Sequence, residues 1–350
     1  MVIGVCGFGS TGSGAVVDYL REFSAEVSAG KNMEMSFLYE PDGILDLEYN
    51  LIKQPIKFYN GDAALKKFYK LVHSYDLKRY TKKYMSYKSF IDICDEYIND
   101  LIETKWTGGL WAFDRRQVSA MGYFLKYFLG HKYLRIFDKF HIEQPQHFLG
   151  HKMYVPIHDE RFYIATKKFT QRLLDLQCDH SKKYIVLDQP FPANNPSLCF
   201  HFFNDKCKAI IVNRDPRDLY IVSKKNQCGW ELRFTPTYSV RDFVVYYRDL
   251  MHTIADRQEN VLNIRFEDLI YKYDESTKTI NEFLDLHNHL EPRRRFNPSV
   301  SIANTQMILR YPELQKDIEF IEKELKDYLY PFDESRADLS LKPWNFVEEV

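Results

Sequence analysis

Two periods run through the apolar positions of this chain. Short apolar runs lie at Val2–Cys6, Tyr184–Leu187, Ala209–Val212 and Val261–Ile264, each containing β-branched residues. Runs of that length predict buried strands. Ala15, Val16, Tyr19 and Leu20 recur instead at helical spacing, and Asp242–Ala255, Ser276–Leu286 and Leu314–Tyr328 also read as helices. Ala25–Ser28 and Met33–Tyr39 predict strand and strand-to-loop. Strands that alternate with helices imply an α/β fold with a central parallel sheet. Residues 40–180 interrupt the alternation. There Gly43–Ile52, most of Ala63–Thr104, Gly122–Phe140 and Asp159–Leu176 follow the helical period. The prediction is one α/β domain over residues 1–350, with a large helical insertion at about 40–180.

The polar residues at the strand ends carry the chemistry. The first strand runs into Gly7-Phe8-Gly9-Ser10-Thr11-Gly12-Ser13-Gly14, and a helix follows. Strand, glycine-rich turn and helix start make a phosphate cradle, because the first amides of a helix point at an anion. Gly9, Ser10, Thr11, Gly12, Ser13 and Gly14 are the candidate ligands. The spacing resembles a Walker A loop, but Ser13 and Gly14 stand where that loop has its lysine and its Ser/Thr. An ordinary ATPase or GTPase is therefore not expected. The run ending at Asn213 continues as Arg214-Asp215-Pro216-Arg217-Asp218, and Pro216 suits the first turn of a helix. The run ending at Leu187 gives Asp188 and a Pro- and Asn-rich loop. The run ending at Ile264 gives Arg265-Phe266-Glu267-Asp268-Leu269.

Composition narrows the classes. The formal net charge is -1, which argues against broad nucleic-acid binding, so any anion site must be local. The six cysteines have no CxxC spacing, and His131, His141, His147, His151 and His158 match no metal-ligand frame. Neither a metal nor a disulfide framework is expected. No long apolar segment predicts a transmembrane helix or signal peptide, and a cytoplasmic setting is expected. Between Lys66 and Lys88, eight Lys/Arg face one acid, Asp76, with tyrosines interleaved. Such a stretch reads either as a solvated face or as the entrance for an anionic acceptor.

Taken together, the glycine-rich loop, the Arg214-x-Pro216-x-Asp218 segment and Arg265-Phe266-Glu267-Asp268-Leu269 resemble the sulfotransferases that use 3′-phosphoadenosine 5′-phosphosulfate (PAPS). The resemblance spans roughly residues 1–40 and 184–310. It implies PAPS as co-substrate, no metal, and sulfuryl transfer to a hydroxyl or amine of an acceptor, with a carbohydrate the expected class. It implies that the loop holds the 5′-phosphosulfate. The 3′-phosphate would fall to Arg214, with Ser223 and the basic residues Arg293 and Arg294 (or Ser301 and Asn304) beside it. The family's helix serine falls at Val222 here, one residue before Ser223. Ser10 takes the place of the cation that many members bring to the transferring group, and Lys31 is a substitute. Met33-Glu34-Met35-Ser36-Phe37 resembles the stretch carrying the catalytic glutamate of glycan sulfotransferases, which points to Glu34 as general base. Its two methionine neighbours predict partial desolvation and a raised pKa. Two other readings are a nucleotide-dependent kinase using Asp188 for Mg²⁺, and a nucleotide-binding module without catalysis.

Overall fold

The computed structural model describes residues 1–55, 58–108, 112–125, 128, 130–140, 151–225, 235–256 and 258–343. Seven strands lie among them: β1 (Val2–Gly7), β2 (Val27–Glu34), β3 (Ile102–Gly108), β4 (His151–Pro156), β5 (Tyr184–Asp188), β6 (Cys207–Asn213) and β7 (Val261–Arg265). Five of them form one sheet in the order β2-β5-β1-β6-β7, and every pair is parallel. The expected α/β class with a central parallel sheet is what the chain forms. The chain divides into two compact units, Met1–Leu38 with Leu174–Val350, and Tyr39–Leu173.

In the first unit, β1 is central and almost wholly buried, which suits a run apolar at nearly every position. Val5 is level with Asp188 on one side and with Ile210 on the other. The carboxyl ends of β5, β1 and β6 therefore come to one edge. The chain leaves β1 for one half of the sheet and enters β6 in the other half, and ligands bind at such a switch point. One face of the sheet packs Ile3, Val5, Val186, Ile210 and Val212 against Val16, Val17 and Leu20 of α1 (Ser13–Arg21), and against Leu269 and Ile280. On the other face Gly4 lets an aromatic ring lie on the strand. A Cβ at that position would be 2.3 Å from Phe191. A second core joins the helices Pro216–Lys225, Val240–His252 and Gln315–Glu324 through Ile221, Val222, Phe243, Ile318 and Ile321. Each such side chain contributes about 1.5–3 kcal/mol when fully buried.

The second unit is mainly helical, with the helices Phe58–Val72, Tyr87–Asp100 and Arg161–Asp175 at its centre. Tyr97 stacks on Phe169 at 4.5 Å and meets Phe68 edge-on at 5.7 Å. The buried Tyr97 hydroxyl bonds to that of Thr166 at 2.8 Å. β3 and β4 pair antiparallel here, so the stretch around Trp106 is a strand. β2 joins the two stretches expected as strand and strand-to-loop: it runs from Val27 to Glu34, and a 3₁₀ turn follows at Ser36–Leu38.

Candidate functional site

The glycine-rich loop has the backbone an anion cradle needs. Gly9, Ser10 and Gly12 all take left-handed conformations, with φ of 78°, 53° and 93°. Ser10 adopts this conformation at a steric cost of about 1–2 kcal/mol. Gly12 is fixed by packing as well as by φ, since a Cβ there would sit 2.4 Å from the Phe266 ring. It is the N-cap of α1 and makes no side-chain cap bond. The Ala15 amide closes on the Gly12 carbonyl at 3.1 Å, while the amides before it have no acceptor within the helix, so this end of α1 suits an external anion. The Phe8 amide donates to Thr11 Oγ1 at 3.2 Å and closes the loop from within.

The first residue of the loop after β5 straps the glycine-rich loop. Gln189 follows β5 with φ of 47°. Its Oε1 accepts from the Gly7 amide at 3.1 Å, and its Nε2 donates to Ser13 Oγ at 3.1 Å. One side chain therefore ties the strand side of the loop to the helix side.

Arg214 adjoins the same loop. It stands after β6 and is 7% exposed. Nη1 donates to the Ser10 carbonyl at 2.8 Å, and Nη2 donates to the Asn304 carbonyl. Its guanidinium lies 5.0 Å from the Phe266 ring centre. Phe266 thus touches both Gly12 and Arg214, which gives the aromatic of the Arg265–Leu269 segment a physical role. Arg214 Nε is buried and has no partner. Burial pushes the Arg214 pKa down, while Asp218, Glu267 and Asp215 oppose the shift. Ser223 is buried, and its hydroxyl has no partner. Val222, at the family's serine position, packs in the second core instead.

The carboxylates around Arg214 hold backbone. Asp215 accepts from the Arg217 amide at 2.8 Å, from its guanidinium at 2.9 Å, and from the Tyr330 amide at 2.6 Å. Glu267 accepts from the Asp215 amide at 2.8 Å. Asp218 accepts from the amides of Gln306 at 2.9 Å and Met307 at 2.7 Å, and so fixes the turn beside Asn304. Burial raises Asp218 against the pull of Arg214, and burial reinforced by Asp215 raises Glu267 to about 8.

The basic segment is tied to the far end of α1. Buried Glu22, just past the other end of α1, accepts from the amides of Arg293 at 3.1 Å, Arg295 at 2.9 Å and Phe296 at 3.0 Å, and pairs with His289 at 2.6 Å. The Arg293 guanidinium lies over Tyr273, and Arg294 pairs with Glu291. The nine residues of α1 separate Gly12 from Glu22, roughly 15 Å at the α-helical rise. The segment that reaches Arg214 is the one containing Asn304.

Glu34 ends β2 and is level with Asp188 across the sheet. It is exposed, so the expected desolvation by its methionine neighbours is not what the fold gives. Asp188 is the desolvated carboxyl. Its Oδ1 is buried without a partner. Burial raises it to about 7, aided by Glu34 and Asp18 and opposed by Arg21. Lys31 lies on β2, and its side chain is outside the described residues. His141 and His147 are also outside them. In the second unit, Lys66 is committed to Asp62 and Asp114, each at 2.9 Å, and Lys67 to Asp42 at 3.0 Å. Among the described residues, no group of three or more His, Cys, Asp or Glu is placed to hold a metal ion.

No family model and no curated protein matches the chain. Solved structures similar to it include the following three. The sulfotransferase domain from the curacin biosynthetic pathway is 11% identical, over 85% of this chain and 78% of that one, with a TM-score of 0.33. The sulfotransferase domain of the Synechococcus PCC 7002 olefin synthase is 12% identical over 94% of both chains, with a TM-score of 0.34. Retinol dehydratase, solved with androsterone and the inactive cofactor PAP, is 12% identical over 95% of this chain and 81% of that one, at 0.33. At these scores the functional reading rests on the chain's own residues. In its three strand-end motifs and its parallel-sheet plan, the chain resembles the PAPS-dependent sulfotransferases.

Proposed function

We propose that this protein transfers a sulfuryl group from PAPS to a hydroxyl or amine, with a carbohydrate as acceptor. The observation that carries the reading is the junction of Arg214 with the loop. A buried guanidinium with a spare N–H lies against Ser10, beside the open N-terminus of α1. PAPS presents a 5′-phosphosulfate and a separate 3′-phosphate, and these two features suit its two anions. The amides of residues 9–14 would take the phosphosulfate. Arg214 would take the 3′-phosphate with planar donors, flanked by the Ser301–Asn304 segment, with the Ser223 hydroxyl in reserve.

In the transfer, Glu34 accepts the proton of the acceptor hydroxyl. The acceptor oxygen bonds to sulfur, and the bond from sulfur to the bridging oxygen breaks. The nucleotide leaves as 3′,5′-adenosine bisphosphate, carrying the bond's electrons as phosphate charge. Oriented loop amides stabilise that charge as it develops. Gln189 keeps the loop in register for this. An Mg²⁺-dependent kinase is less well supported, because Ser13 and Gly14 stand where a Walker A loop has its lysine and its Ser/Thr.

The test is a thermal shift with the bisphosphate, AMP and ATP, followed by transfer from labelled PAPS to a glycan panel. The bisphosphate should stabilise the protein more than AMP does. A hydrogen bond to a charged group is worth about 1.5–3 kcal/mol, so Arg214→Ala should weaken the bisphosphate roughly ten- to a hundredfold and AMP little. Equal binding of AMP and the bisphosphate by the wild type overturns the assignment.

A further inference from the structure

The second unit carries two apolar stripes that face water. Met121, Phe124, Leu125 and Phe128 recur at i, i+3, i+4 and i+7, the spacing that normally turns a helix face to the core. All four are exposed, Met121 at 67% and Phe124 at 56%. The Phe124 and Phe128 rings stack on each other at 5.1 Å rather than on an interior. On the helix Gly130–Lys139 and the residue after it the pattern repeats with Tyr133, Ile136, Phe137 and Phe140. Ile136 is 53% exposed and Phe140 63%.

The polar residues here are of one sign. Between Val118 and Phe140 four Lys/Arg face a single acid, Asp138. Lys132, Arg135 and Lys139 follow each other at i, i+3 and i+7, so they form a cationic stripe beside the apolar one, and all three are exposed. Lys132 Nζ lies 4.7 Å from the Phe128 ring centre, so cation and apolar stripe form one surface.

We infer that this face docks on an anionic lipid bilayer. An amphipathic helix with aromatic and aliphatic residues on one side and Lys/Arg on the other lies in the headgroup plane. Its apolar face enters the acyl boundary, and its cations meet anionic headgroups. The long cationic stems lie along the apolar surface and keep their charges at headgroup level. The helix lies on the bilayer and does not cross it. Ten residues rise about 15 Å, half the roughly 30 Å hydrocarbon core. No described helix is long and apolar enough to span a membrane. This inference does not depend on the sulfuryl-transfer reading.

The experiment is flotation of the full chain with vesicles of phosphatidylcholine alone and of phosphatidylcholine with phosphatidylserine. The protein should float only with the phosphatidylserine vesicles. It should be released as salt rises from about 0.1 to 1 M, where the screening length falls from about 10 to 3 Å. Phe124→Ser with Phe128→Ser, and separately Lys132→Glu with Arg135→Glu, should each cost about tenfold or more in vesicle affinity. Both pairs should leave the thermal unfolding midpoint without vesicles unchanged, which shows that the variants fold. Should either pair fail to fold, Phe128→Trp gives a second readout, a blue-shifted emission on phosphatidylserine vesicles only. Absence of flotation, equal flotation with both vesicles, or variants that bind as the wild type does overturns the inference. So does a concentration-dependent dimer in sedimentation velocity that the variants abolish, which gives the face to a second copy of the chain.

Discussion

The two ends of α1 solve the same electrostatic problem in opposite ways. At its C-terminal end, three backbone amides and an imidazole converge on the carboxylate of Glu22, which has no exposure to solvent. At its N-terminal end, left-handed glycines lead into a first turn without a side-chain cap, and a guanidinium stands beside the loop. The cation-rich sequence of residues 293–295 lies at the closed end. The open end has a single arginine of the strand-end motif. On the proposed reading, local density of positive residues is a poor guide to the anion site, and a buried donor without an acceptor, Arg214 Nε, is the better one.

If the open end is where chemistry happens, the largest effect belongs there. Glu34→Gln keeps the shape of the side chain and removes the proton acceptor. General-base catalysis is worth about 10²–10⁴-fold, so kcat should fall by that order while bisphosphate affinity stays near wild type. Sulfuryl transfer from labelled PAPS, wild type beside variant, is the measurement. Turnover within threefold of wild type would remove Glu34 from the mechanism, and Asp188, its neighbour across the sheet, would be the next residue to substitute.

The closed end should respond in stability. Glu22→Ala leaves three amides and His289 without their acceptor. Removing one member of a buried, fully bonded group costs about 3–5 kcal/mol. Denaturant unfolding should show that loss, and bisphosphate affinity of the folded fraction should hold. A Glu22 variant that keeps its stability but loses the nucleotide would reverse the comparison and return Arg293 and Arg294 to the site.

The sequence made one end of α1 legible and hid the other for physical reasons. β1, β5 and β6 are mostly buried, so each reads as a short apolar run, and β7 reads as one although this edge strand is only half-buried. The loop reads from its glycines, and Arg214 from its place between a strand and Pro216. Glu22 did not read, because a glutamate after a helix is normally solvated, and its partners lie some 270 residues away in the chain. Gln189 hid in a loop rich in proline and asparagine, since its bonds to Gly7 and Ser13 span separations of 182 and 176 residues. β3 hid because Glu103, Thr104, Lys105 and Trp106 are consecutively exposed, without the alternation that marks a half-buried strand.

Asp188 is a third carboxyl in this comparison, and the smallest effect concerns it. Glu22 receives three amides, whereas Asp188 Oδ1 is enclosed with no donor at all. Its surroundings are Glu34 on β2, Asp18 and Arg21 on α1, and the Gln189 backbone, and burial dominates in raising it to about 7. An unfolded aspartate titrates near 3.9. The folded state therefore holds a proton that the unfolded state releases. That contribution to stability is complete below about pH 4 and is lost as pH rises through 7. Asp218 and Glu267 are raised as well and act with the same sign, so the wild type alone does not isolate Asp188. Asp188→Asn does, because the amide cannot ionise. Relative to wild type, the variant should gain on the order of 1–3 kcal/mol between pH 5 and pH 8. Paired melting curves at the two pH values give that difference. If the difference is the same at both pH values, Asp188 is ionised throughout, and water or a donor reaches its Oδ1. The strand end beside the loop would then be solvated like Glu34, and the contrast with Glu22 would narrow to the loop itself.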